Sequence, residues 1–184
     1  MSDSVMEFRD YSTVVLIKSN ASDEDVARSA WVSHLPGAHE KEADPGRIKG
    51  LIDFLWRNKH TSPFEHGQFT FVIRTPIFVA REFHRHRTFS YNEVSGRYSK
   101  LEPVFFYPKL ARPVEQQGKV GAYTYTENSQ LVNDAIDSIE QNSRDSWDRY
   151  EQLLEQGVAR EVARMVLPVN LMTTFWATVN PLNL

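Results

Sequence analysis

Three arginines, a histidine, a glutamate and two serines fall within one short run: Arg85-His86-Arg87-Thr88-Phe89-Ser90-Tyr91-Asn92-Glu93-Val94-Ser95-Gly96-Arg97-Tyr98. Guanidinium forks grip phosphate and carboxylate oxygens in pairs. The small residues Ser90, Ser95 and Gly96 between them would let a ligand approach the backbone. Over residues 74–100, six Lys/Arg stand against only two acids, Glu82 and Glu93, in a chain whose net charge is −3. A positive island in an acidic chain indicates a pocket for an anionic small molecule rather than a surface for nucleic acid. A second basic pair, Arg160 and Arg164, lies one helical turn apart. Alone, that pair also fits a solvated helix face with Glu161 as its partner.

Other chemistries find less support. His60, His66, His84 and His86 with Glu65 could suggest a metal site. Their spacing matches no HExxH-type pair, and His84 and His86, two apart, would diverge on a helix. No metal is expected. Ser95 sits in no G-x-S-x-G turn and reads as a hydrogen-bonding residue, not a nucleophile. There is no G-x-G-x-x-G or Walker A loop, so side chains would have to hold any nucleotide cofactor. The sequence contains no cysteine, which excludes a disulfide framework, a thiolate metal site and a thiol nucleophile among its 184 residues.

The elements that must position these residues are legible in outline. Residues 14–18 read as a short buried strand. Ser22 caps a helix on which Val26, Ala27, Ala30 and Trp31 share a face. Residues 36–46 read as a surface loop. Asp44-Pro45 opens a helix with Ile48, Leu51, Ile52, Leu55 and Trp56 on one stripe. Residues 68–74 alternate as a half-buried strand. Thr75-Pro76 starts a helix running to about Arg87, placing Glu82, Arg85 and His86 on one face. Pro103, Pro108 and Pro113 mark a loop-rich middle, most exposed at Gln116-Gln117-Gly118. A long helix over residues 127–156 buries Val132, Ile136, Ile139, Ser143, Trp147, Tyr150 and Leu154 and ends at Gly157. A short helix over 160–167 stops at Pro168, and residues 171–179 form a strand. The mixture predicts an α+β fold, one domain over residues 1–184, with a mixed, mostly antiparallel sheet and packed helices. No apolar run is long enough for a membrane span and the N-terminus has no secretory pattern, so a cytoplasmic protein is expected.

Arg85-His86-Arg87, followed seven residues later by Ser95, resembles the signature of the flavin-dependent thymidylate synthases, the thymidylate-synthase-complementing family. The flanking runs His60-Thr61-Ser62-Pro63-Phe64-Glu65-His66, Thr75-Pro76-Ile77-Phe78-Val79-Ala80-Arg81 and Arg160-Glu161-Val162-Ala163-Arg164-Met165-Val166-Leu167-Pro168 are similar too. The resemblance implies a homotetramer with FAD at subunit interfaces. It implies transfer of methylene from methylenetetrahydrofolate to C5 of dUMP, with NADPH reducing the flavin. By position, Ser62, Arg85, His86, Arg87, Glu93 and Asn180 would contact FAD. Glu82, Arg85, Glu93, Ser95, Gly96, Arg97 and Arg164 would line the dUMP site. Two departures stand out: the family often has glutamine at the place of Glu82, and Pro181-Leu182 do not match what usually follows Asn180. A uracil-polarising arginine and further helices are expected beyond Leu184. Two other readings of the same residues stay open: a nucleotide- or RNA-binding module, which the net charge disfavours, and a homologue that binds FAD without turnover.

Overall fold

The computed structural model describes residues 6–33, 44–110, 112–126 and 128–184. The chain folds into two compact units and passes five times between them: one unit takes the segment up to Thr13, Arg74–Phe83 and Val94–Thr173, the other Val14–Ile73, His84–Glu93 and Thr174–Leu184.

The second of these units is built on a four-stranded sheet. Its strands are β2 (Thr13–Ser19), β3 (Phe69–Pro76), β4 (Ser90–Glu93) and β8 (Met172–Val179), in the order β2-β3-β8-β4. β4 runs antiparallel to β8, pairing Ser90 with Thr178 and Glu93 with Phe175. Helices α1 (Asp23–Trp31) and α2 (Pro45–Arg57) and a 3-10 turn (Ser62–Glu65) pack through buried Val26, Leu55 and Phe64, with Leu51, Ile52 and Leu182 around them. Both predicted caps form. The Asp25 amide donates to Ser22 Oγ at 3.1 Å and the Ser22 amide to Asp25 Oδ2 at 3.0 Å, closing a capping box. Asp44 accepts from the Arg47 amide at 3.2 Å, with Pro45 in the first turn. The loop reading of residues 36–46 lies mostly outside the described residues.

The unit that holds Arg74–Phe83 and Val94–Thr173 pairs β1 (Glu7–Arg9) in parallel with β5 (Val104–Phe106). Against them lies α4 (Ser129–Glu155), followed by α5 (Arg160–Ala163) and a 3-10 turn (Arg164–Val166). Phe105, Trp147, Tyr150, Ala163 and Leu171 form the core, so the apolar stripe predicted on the long helix is the face that packs. Gly157, at φ +83°, follows that helix as expected. The α+β class therefore holds, with helices on mixed pairing.

Four local expectations are corrected. β2 is an edge strand and is not buried: Val14, Val15, Leu16 and Ile17 are 65%, 52%, 52% and 44% exposed. An apolar run does not by itself distinguish an edge from a centre. The third helix, α3 (Ile77–Phe83), stops four residues early, so Arg85 and His86 do not share a helical face with Glu82. Residues 90–93, given no regular element from the sequence, are the strand β4. Gln116-Gln117-Gly118, read as loop, belongs to a hairpin of β6 (Glu115–Lys119) and β7 (Ala122–Thr126) turning at Val120-Gly121. Gly118 sits at φ +102°, and a Cβ there would come 2.5 Å from the Ala122 carbonyl oxygen, so the turn requires glycine. Among the described residues no helix is long and apolar enough to cross a membrane.

Candidate active site

The expected site residues divide between the two units. In the unit carrying β4, the segment after α3 is held from below by aromatics. His84 packs at 4.5 Å from the Tyr91 ring and 5.0 Å from that of Phe175, which is 1% exposed. The Tyr91 hydroxyl donates to the His86 carbonyl at 2.8 Å, and the Phe89 and Tyr91 rings stack at 5.9 Å. These contacts explain the early end of α3. Packing the half-buried His84 ring against β4 and β8 outweighs continuing the helix, because packing overrides propensity. The consequence is that Arg85, His86 and Arg87 are exposed on an irregular turn with a pinned backbone. Glu93 ends β4 opposite Phe175. Ser62 opens its 3-10 turn, and Asn180 follows β8, where its side-chain oxygen accepts the Asn183 amide at 3.1 Å. The Leu182 amide reaches the Phe64 carbonyl at 3.2 Å, tying the segment after Asn180 to the turn that begins at Ser62.

Burial raises the Tyr91 phenol above its ordinary value. A folded value above the unfolded one means its contribution is complete below the ordinary phenol range and is lost as pH rises from that range through the higher folded value. Tyr91→Phe is expected to cost about 1 kcal/mol through the lost bond to His86 and to flatten this alkaline decline. Urea melts at neutral and alkaline pH check it; an unchanged alkaline slope would remove Tyr91 from the effect.

In the other unit, residues 95–101 turn back over themselves. The Arg97 amide donates to Ser95 Oγ at 3.3 Å, and the Tyr98 amide to the Ser95 carbonyl at 3.1 Å. Gly96 is buried, and a Cβ on it would press 2.9 Å from Leu101 Cδ1. Helix α5 meets this turn: Arg160 Nη1 donates to the Tyr98 carbonyl at 3.0 Å, and Arg97 Nε lies 3.7 Å from Glu161 Oε2. Arg97, Ser95, Gly96 and the helix that leads to Arg164 are thus brought together, with Glu82 on α3 of the same unit. Arg160, Glu161 and Tyr98 are structural partners at this turn that residue type alone does not reveal. The i, i+4 spacing of Arg160 and Arg164 was the available signal. Among the described residues neither Arg87 nor Arg164 forms an ion pair, and no three His, Asp or Glu side chains converge as metal ligands.

The α+β fold and its arginine-bearing turns have counterparts among known proteins. The family model described as thymidylate synthase complementing protein matches residues 15–184. The flavin-dependent thymidylate synthase of Streptomyces coelicolor is 47% identical over 182 residues, 97% of this chain and 74% of that protein. That of Tropheryma whipplei strain TW08/27 is 49% identical over 171 residues, covering 91% and 71%. The crystal structure of the UMP/dUMP methylase PolB from Streptomyces cacaoi bound with 5-Br dUMP matches with a TM-score of 0.86 at 40% identity, over 95% of this chain and 76% of that one. The same methylase bound with 5-Br UMP gives 0.84 at 37% identity. The chain belongs to the thymidylate synthase complementing protein family.

Proposed function

We propose that the protein is a flavin-dependent thymidylate synthase that methylates C5 of dUMP, with FAD as cofactor, methylenetetrahydrofolate as carbon donor and NADPH as reductant. The observation that carries this reading is the run from Arg85 to Arg97, set on pinned turns in a member of this family. The residues fit a phosphorylated cofactor and substrate: Arg87 and Arg164 carry charge that no described acid offsets, so an anion gains contacts there without breaking any. Ser62, Arg85, His86, Arg87, Glu93 and Asn180 would hold FAD. Glu82, Arg85, Glu93, Ser95, Gly96, Arg97 and Arg164 would hold dUMP.

FAD, when bound and reduced, would supply the hydride needed to bring the one-carbon unit to the level of a methyl group. The side chains bind and orient. Guanidinium groups neutralise phosphate, and the Ser95 hydroxyl and the amides of its turn offer hydrogen bonds. No cysteine is present in the sequence, so no thiolate of these residues adds to C6 of the pyrimidine.

The assembly we propose is a homotetramer with its sites at subunit interfaces. Its support is β2, apolar on both faces at the sheet edge, which unprotected would invite aggregation. Leu16→Glu is expected to lower the assembled mass measured by light scattering while leaving far-UV circular dichroism unchanged. A tetramer of unaltered mass removes β2 from the interface.

NADPH oxidation by flavin-loaded protein, measured with and without dUMP, tests the activity. Stimulation by dUMP with formation of dTMP is expected, and protein that cannot be loaded with FAD overturns the reading. Because the solved methylase also holds 5-Br UMP, the assay includes UMP. Turnover of UMP above that of dUMP would assign the protein to ribonucleotide methylation instead.

A further inference from the structure

We propose that a cavity of about 500 Å³, bounded by Phe78, Phe106, Ile139, Val169 and Arg112, is a second small-molecule site that takes a flat apolar monoanion, an aromatic carboxylate or sulfonate. It lies wholly within the unit that contains α4 and shares no residue with the proposed dUMP and FAD sets.

The walls are locked to one another. The Phe78 amide donates to the Val169 carbonyl at 3.1 Å and the Phe106 amide to the Asn170 carbonyl at 2.8 Å. Asn170 Nδ2 returns a bond to the Phe106 carbonyl at 2.9 Å and donates to Ser143 Oγ at 3.0 Å, while that hydroxyl donates to the Ile139 carbonyl at 2.7 Å. Strand β5, the segment leading into β8, and α4 are therefore held in one arrangement, and the Phe78 and Phe106 rings meet edge-on at 5.8 Å. The space is a cleft open to solvent past Phe78 and Val169, and a preformed, mostly apolar cleft of a few hundred Å³ with a few polar groups is a usual form of a small-molecule site.

Its polar groups select the ligand. Arg112, Ser138 and Asn142 line it, and no side chain of the three makes a hydrogen bond or ion pair with another described residue. Arg112 is the lone cation of the lining. One guanidinium suits a single negative charge rather than a pyrophosphate. The two aromatic rings suit a planar body, which stacks or meets them by its edge.

The test is calorimetric titration of 2-naphthoate into flavin-loaded protein saturated with dUMP. Binding of one molecule per protomer is expected, at least tenfold weaker in Arg112→Gln and at least tenfold weaker for the neutral 2-naphthamide. Ile139→Trp, which fills the cavity, is expected to abolish it, with circular dichroism confirming the fold. Arg112 is exposed, so Arg112→Gln tests the charge even where the tryptophan variant fails to fold. Absence of binding, equal affinity for acid and amide, or an affinity indifferent to Arg112→Gln would overturn the proposal.

Discussion

Arg97→Ala is expected to raise the KM for dUMP by ten- to a hundredfold while the flavin content per protomer stays that of the parent. A hydrogen bond to a charged group contributes about 1.5–3 kcal/mol, and every 1.4 kcal/mol is about a factor of ten. The parent contacts suggest that the effect falls on binding rather than folding. Arg97 is exposed, its ion pair with Glu161 spans 3.7 Å, and exposed pairs of this kind add little stability. Its neighbours Ser95 and Gly96 hold their turn through the backbone and through packing on Leu101, neither of which needs the guanidinium. Steady-state kinetics and flavin absorbance on the same preparation separate the two roles. A KM for dUMP equal to that of the parent would remove Arg97 from the substrate set.

Phe175→Ala should be the most damaging single change near the cofactor residues. The ring is 1% exposed and touches both His84 and Tyr91, whose side chains set the course of the backbone into Arg85, His86 and Arg87. Truncating a buried phenylalanine to alanine typically costs about 3–5 kcal/mol, a large share of the roughly 5–15 kcal/mol that stabilises a domain. The variant is expected to melt well below the parent and to be purified with reduced flavin. Phe175→Leu, which keeps most of the apolar volume, should recover much of both. Full flavin retention by a destabilised Phe175→Ala protein would show that the aromatic cluster supports the fold and not the turn above it.

The chemistry-bearing residues were readable because their types and spacing are local facts, and so were the helices marked by Ser22, Asp44 and the stripe of α4. What the sequence hid was decided at a distance. Arg85 and His86 have respectable helix propensity and continue the period of α3, yet His84 is drawn onto Phe175, ninety-one residues away in the chain. β2 looked buried because Val, Leu and Ile in succession read alike at the centre and the edge of a sheet. The hairpin of β6 and β7 did leave a signal. Tyr123 and Tyr125 alternate with Thr124 and Thr126 after Gly121, but the polar glutamines before them masked the strand. The division of the site residues between two units has no signature in residue order at all.

Because the polypeptide shuttles five times between those units, each is stitched from three separate stretches of the gene. No single proteolytic nick can liberate an intact half, and neither half can be completed during translation before the segment ending at Thr173 has been made. Such interleaving favours slow, long-range closure over local zipping. Every residue proposed for FAD falls within one of the two interleaved units, whereas the set proposed for dUMP draws Arg85 and Glu93 from that unit and Glu82, Ser95, Gly96, Arg97 and Arg164 from the other, so damage to either core would be felt by the nucleotide.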